Sequence, residues 1–132
     1  RRSRGDLPGG DVYLADTLGE LGNWYALGDI VFLGGSLLPI GGHNPFEGAQ
    51  AGATVLSGNH VFNFAETFSA MEAAGAALLV ADAPDMARQV DSLLRDDAHR
   101  AKAVTAAKAF VNAETDKLDT IATRLINALR LS

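Results

Sequence analysis

The sequence predicts an α/β fold, a Rossmann-like parallel sheet with flanking helices. Three observations predict it. Four short apolar runs recur up to Val80, helical patterns separate them, and none of the runs alternates polar with apolar residues. Strands linked by helical crossovers lie parallel. A parallel strand is covered on both faces, so it reads as a continuous apolar run.

The expected strands are "DVYLA" (11–15), "DIVFL" (29–33), "ATVLS" (53–57) and "AALLV" (76–80), each bounded by Gly, Asp or another small residue. Between the first two, "LGELGNWYALG" sets Leu21, Trp24, Tyr25 and Leu27 at helical spacing, and Gly28 stops it. After the second, "NPFEGAQAG" starts a helix with Asn44 as N-cap, Pro45 at the first helical position and Glu47 at the third. "NFAETFSAMEAAG" puts Phe64, Phe68 and Met71 on one stripe and ends at Gly75. "APDMARQVDSLLRD" repeats Met86, Val90, Leu93 and Leu94. Two further helices are expected, roughly 97–112 and 114–130, the last with Leu118, Ile121, Leu125, Ile126 and Leu129 on one side. The chain reads as one unit over 1–132: a flexible start at 1–10, a β/α core over 11–82 and a helical tail over 83–132.

At 132 residues the chain is long enough to bury a core. Hydrophobic residues make up 48% and charged residues 20%, an ordinary globular balance. There is no cysteine, which excludes disulfides and cysteine-ligated metals. A net charge of −5 argues against a domain built to grip nucleic acid. The opening "RRSRGDLPGG" has no apolar centre and is no signal peptide. No apolar run reaches the roughly 18 residues of a membrane span, so these residues are expected to be soluble. The absence of an initiator Met reads as a piece of a longer protein.

Two segments carry the candidate chemistry. In open parallel sheets, ligands sit beyond the carboxyl ends of the strands. The loop after 29–33 lies at such an end, and five of the 14 glycines fall between Gly34 and Gly48. It delivers His43, Asn44 and Glu47. A helix start at Asn44–Pro45 presents unpaired N–H groups and about half a positive charge, which suits an anion such as phosphate. Gly41 and Gly42 have no Cβ, so a ligand can approach the backbone there. The Glu47 carboxylate can accept from both hydroxyls of a sugar diol. A second reading fits the same residues: Asn-x-x-Glu is close to a capping box, in which Glu47 bonds only the Asn44 N–H. The other segment is "DTLGEL" (16–21). Asp16 or Thr17 is expected to cap the helix of Trp24, either as an ordinary cap or as a second helix start facing the same crevice.

Other residues exclude chemistry. No G-x-G-x-x-G follows the first strand and no Gly-Lys-Ser/Thr follows a glycine loop, so a dinucleotide or nucleoside triphosphate site is not indicated. His43 reads as a hydrogen-bonding partner, and His60 and His99 are not at metal-ligand spacing with it. Ser36 lacks the G-x-S-x-G of a nucleophile elbow. Trp24 and Tyr25 read as core or crevice wall. Arg1, Arg2 and Arg4 read as a charged end with a lesser claim on an anion.

The stretch "DVYLADTLGELGNWYALGDIVFLGGSLLPIGGHNPFEGAQAGATVLSGNHVFNFAE" resembles the carboxy-terminal domain of bacterial 3-deoxy-D-manno-octulosonic acid (Kdo) transferase, closely over 11–82 and loosely in the tail. "GGSLLPIGGHNPFE" and "DTLGEL" carry the resemblance. It implies the second half of a GT-B glycosyltransferase, the half that binds the sugar nucleotide. The implied donor is CMP-Kdo and the implied acceptor is the lipid A precursor of lipopolysaccharide biosynthesis, met at the cytoplasmic face of the inner membrane. The implied donor contacts are Leu18, Gly19, Glu20, Asn44, Pro45, Phe46 and Glu47, with Glu47 on the ribose hydroxyls; the reading of the glycine loop adds Gly41, Gly42 and His43 as candidate substrate-binding residues. No metal or other cofactor is implied. The family's catalytic carboxylate and membrane anchor belong to an amino-terminal domain outside these residues, so they are expected to be inactive alone. Gly48 replaces the proline usual after the glutamate, and Ile40 stands where His is often seen. Two other readings remain: a non-catalytic nucleotide-binding or interaction domain, and a GT-B transferase using a UDP-sugar.

Overall fold

β2 (Thr54–Gly58) is the centre of the molecule, and all five of its residues are buried. It lies between β1 (Ile30–Leu33) and β3 (Ala77–Val80) in a parallel sheet of order β1-β2-β3. A computed structural model describes residues 1–130; residues 131–132, the end of the expected helical tail, lie outside the described residues. Val31 pairs with Val55 and Val55 with Ala77; one residue on, Phe32 pairs with Leu56 and Leu56 with Leu78.

This register creates two cores, because successive side chains of a strand leave opposite faces. Val31, Leu33, Val55, Ala77 and Leu79 join Phe68, Met71, Ala107 and Val111 on one side. Ile30, Phe32, Leu56, Leu78 and Val80 join Leu93, Met86 and Val90 on the other. The expected strands at 29–33, 53–57 and 76–80 are therefore present, and their unbroken apolar character reflects cover on both faces.

The helices are α1 (Leu21–Leu27), α2 (Phe46–Gln50), α3 (Ala65–Ala73), α4 (Ala83–Arg95) and α5 (Asp97–Arg130). Short 3-10 turns occur at Arg2–Arg4 and Phe62–Phe64. At the end of α3 the Ala76 N–H reaches Met71 O at 2.7 Å and the Gly75 N–H reaches Glu72 O at 2.9 Å, a Schellman closure. At the start of α4, Asp82 accepts from the Asp85 N–H while Asp85 accepts from the Ala81 N–H, so two loose donors are satisfied reciprocally. Among the described residues no helix is long and apolar enough to cross a membrane.

Two expectations are corrected. Residues 11–15 form no strand. Val12 is 90% and Leu14 55% exposed, and the free edge of β1 carries no fourth strand among the described residues. An apolar run becomes a central strand only where a neighbouring ladder and two covering layers exist. Here the segment is tied locally instead, by Arg2 N–H to Leu14 O at 2.8 Å and Tyr13 Oη to Asp6 O at 2.7 Å. The second correction concerns the tail. The helices expected at 97–112 and 114–130 are one continuous helix. No Gly or Pro occurs between Asp97 and Arg130, and the Thr115 hydroxyl donates to Val111 O across the expected break. The apolar residues Leu118, Ile121, Leu125, Ile126 and Leu129 are exposed along its second half.

Candidate functional site

The glycine loop after β1 is held from below. Ser36, fully buried, donates to Leu33 O at 2.6 Å and accepts from the Gly58 N–H at 2.8 Å. The loop then closes on itself, Gly42 N–H to Gly35 O at 2.9 Å, and is stitched to the segment after β2 by Asn63 N–H to Gly41 O at 3.2 Å. Gly41 and Gly42 have φ of 114° and 74°, a region that side-chain-bearing residues avoid. A Cβ on Gly41 would lie 2.2 Å from Asn63 Nδ2, and one on Gly42 would lie 3.0 Å from Val61 Cγ1. Their missing side chains make room for the 60–63 segment, which explains glycine at both positions without a ligand.

Beyond these glycines the chain emerges at His43, Asn44 and Glu47, all exposed, while Pro45 between them is fully buried and anchors the turn. The Phe46 N–H donates to Asn44 Oδ1 at 3.0 Å, and α2 begins at Phe46, one residue inside the expected start. The reciprocal bond of a capping box, from the Asn44 N–H to Glu47, does not form among the described residues. Glu47 is thus left open to solvent.

His43, Asn44 and Glu47 form one wall of a cavity of about 420 Å³. Phe32, Leu33 and Gly34 form its floor at the carboxyl end of β1, and Leu21 and Tyr25 of α1 form the far wall. Burial raises the Tyr25 phenol above its usual range, and the Glu47 charge raises it further. The phenol therefore stays protonated and is a donor facing a carboxylate across the cavity. The volume lies within the roughly 300–1,000 Å³ of small-molecule sites. A larger groove of about 590 Å³ lies on the other side of Asn44, between Phe46, Phe64, Phe110 and Leu118. Of the expected site residues, it contains only Asn44 and Phe46.

The other segment is arranged differently. Leu18 is fully exposed, and neither it nor Gly19 nor Glu20 lines the cavity. Asp16 and Thr17 do not cap α1. Asp16 accepts from Arg1, from the Ser3 hydroxyl at 2.7 Å and from the Ser3 N–H at 2.8 Å, which together hold it well below the usual carboxylate range. The Thr17 hydroxyl donates to Glu20. Arg2 grips Glu20 with Nη2 at 2.7 Å and Nε at 3.0 Å. Hydrogen bonding from Arg2, then from Thr17, lowers the Glu20 carboxyl to about 2. Arg1 and Arg2 are thus spent on neighbouring carboxylates. No cluster of three or more metal-type side chains occurs among the described residues.

Of the expected site residues, His43, Asn44 and Glu47 line this cavity, beside Tyr25, which the sequence offers as core or crevice wall; Leu21, Phe32, Leu33 and Gly34 complete the lining without being expected there. A usable signal existed for Leu21, which stands one helical turn before Tyr25. Phe32 and Leu33 read only as strand.

The chain is 40% identical over 116 residues to a 3-deoxy-D-manno-octulosonic acid transferase of Bordetella pertussis, a match covering 86% of this chain and 27% of the relative. It is 40% identical over 103 residues to the transferase of that name from Haemophilus influenzae, covering 76% of this chain and 24% of the relative. The chain thus spans about a quarter of the length of these relatives. In structure it resembles the C-terminal CMP-Kdo binding domain of WaaA from Acinetobacter baumannii, with a TM-score of 0.78 and 34% identity over 80% of this chain and 56% of that one. No family model matches the chain. By sequence and by fold, the chain belongs to the 3-deoxy-D-manno-octulosonic acid transferase family and corresponds to its carboxy-terminal domain.

Proposed function

We propose that these residues are the donor-binding half of a GT-B Kdo transferase, which takes Kdo from CMP-Kdo and passes it to a lipid A precursor in lipopolysaccharide biosynthesis. The supporting observation is the cavity at the end of β1, where an exposed Glu47 and its neighbours Asn44 and His43 face Tyr25. In this reading Glu47 accepts from the ribose hydroxyls, and Asn44 and His43 supply hydrogen bonds to the CMP moiety. Both are polar side chains able to donate. The helix starts contribute less than their pattern suggests, because α1 has seven residues and α2 five. Affinity must then come mainly from side chains and the loop backbone. Leu18, Gly19 and Glu20 serve as the turn that carries Leu21 and Tyr25 to the cavity, Gly41 and Gly42 as the packing beneath it, and Pro45 and Phe46 as its anchor.

No catalytic residue is assigned among these residues. The catalytic carboxylate, the acceptor site and the attachment to the cytoplasmic face of the inner membrane fall to an amino-terminal domain in this proposal. Residues 1–132 alone are then expected to show no transfer. The test is Glu47→Gln in the full-length transferase. A lost charge-assisted hydrogen bond predicts a rise of about tenfold or more in KM for CMP-Kdo, with little change in Tm. A fall in Tm with unchanged KM would make Glu47 a structural residue and remove the proposal's main contact.

A further inference from the structure

We infer that Ser36 is a positioning residue for the donor site, holding the His43–Glu47 wall in place without touching the ligand; the inference rests on the donor-site reading above. Ser36 stands in a glycine loop, where a serine invites comparison with a nucleophile. The structure removes that role. The side chain is fully buried, its hydroxyl proton is committed to Leu33 O, and its oxygen accepts the Gly58 N–H.

Those two bonds join the carboxyl ends of β1 and β2, where the sheet's own ladder stops at Leu33 and Ser57. The Ser36 carbonyl adds a third, accepting from the His60 N–H at 2.9 Å. The contact is so close that a Cβ on Gly58 would lie 2.2 Å from Ser36 O. Glycine at 58 is thus the counterpart of serine at 36. The web continues from His60 through Val61 and Asn63, which fill the space beside Gly42 and Gly41. The next residue is His43, the first on the cavity wall. On the near side, Gly35 meets the His43 ring: a Cβ there would lie 3.4 Å from Nε2. Ser36 therefore sits between two paths of contact, and both end at His43. Alanine at 36 would remove the buried hydroxyl that bridges Leu33 O and the Gly58 N–H. The loop would have to move to replace that bridge.

The experiment compares three variants of the full-length transferase, Ser36→Ala, Val111→Ala and Glu47→Gln, by steady-state kinetics with CMP-Kdo, Tm and amide exchange. Val111 lies in the core on α5 and serves as the control for plain destabilisation. Ser36→Ala is expected to raise the donor KM about tenfold, leave kcat within about twofold and speed exchange at Gly42, His43 and Asn44. Val111→Ala is expected to lower Tm and leave KM unchanged. If Ser36→Ala does not fold, Ser36→Cys carries the test, since it keeps the side chain's shape with a somewhat larger atom and weakens both bonds. A donor KM that moves no more in the Ser36 variant than in Val111→Ala overturns the positioning role. If Glu47→Gln raises KM while the Ser36 variant does not, the positioning role alone falls. If Glu47→Gln leaves KM unchanged, the donor-site reading falls and takes this inference with it.

Discussion

Glu20 and Glu47 are both first-turn or near-first-turn carboxylates beside a glycine, yet the structure treats them oppositely. Glu20 is gripped by Arg2 and Thr17, whereas Glu47 is exposed. The consequence for Glu20 can be measured. Its carboxyl titrates at about 2 in the folded chain against an ordinary value of 4.5. A depressed carboxyl contributes stability that is fully present above about pH 4.5 and is lost as the pH falls toward 2. A carboxyl-carbon NMR titration should place Glu20 near 2, and Arg2→Ala should return it toward 4.5. An unchanged midpoint in Arg2→Ala would show that the ion pair does not form. Neither partner is sealed from water, so the pairing should weaken with salt. The sequence does not show that Glu20 is gripped and Glu47 is open, because what separates them is a partner 18 residues away. Ser36 was unreadable for the same reason: its acceptor and donor come from two different strand ends.

The strands were legible because burial on both faces leaves a mark in composition. Three of the four apolar runs are strands, and the apolar residues of β1, β2 and β3 alternate between the two cores. "DVYLA" has the same composition and no ladder, so composition alone could not separate it. The tail shows the converse. Its apolar spacing matches the helix, but no breaker stands near Ala113, where two separate helices are expected to meet. Continuity of α5 makes Asn112, exposed in mid-helix, a poor helix former rather than a cap. Asn112→Ala should therefore raise stability by about 0.5 kcal/mol in chemical denaturation. Were there a helix start at Ala113, the same change would remove a cap and lower stability by about 1 kcal/mol.

The sheet, its two cores and the glycine loop serve one geometric result: a cavity at the carboxyl end of β1, walled by α1 on one side and the His43–Glu47 segment on the other. Its location was legible from the general rule for open parallel sheets, and its polar wall from the "GGHNPFE" stretch. The depth of that wall was not, since it depends on how Gly41 and Gly42 seat against the segment after β2. The most direct measurement is a nucleotide titration of the full-length protein followed by backbone amide shifts. CMP should perturb Tyr25, Gly34, His43, Asn44 and Glu47 together, and more strongly than UDP at equal concentration. Shifts confined to the groove of Phe64, Phe110 and Leu118, or no response to CMP at all, would contradict the donor-site assignment.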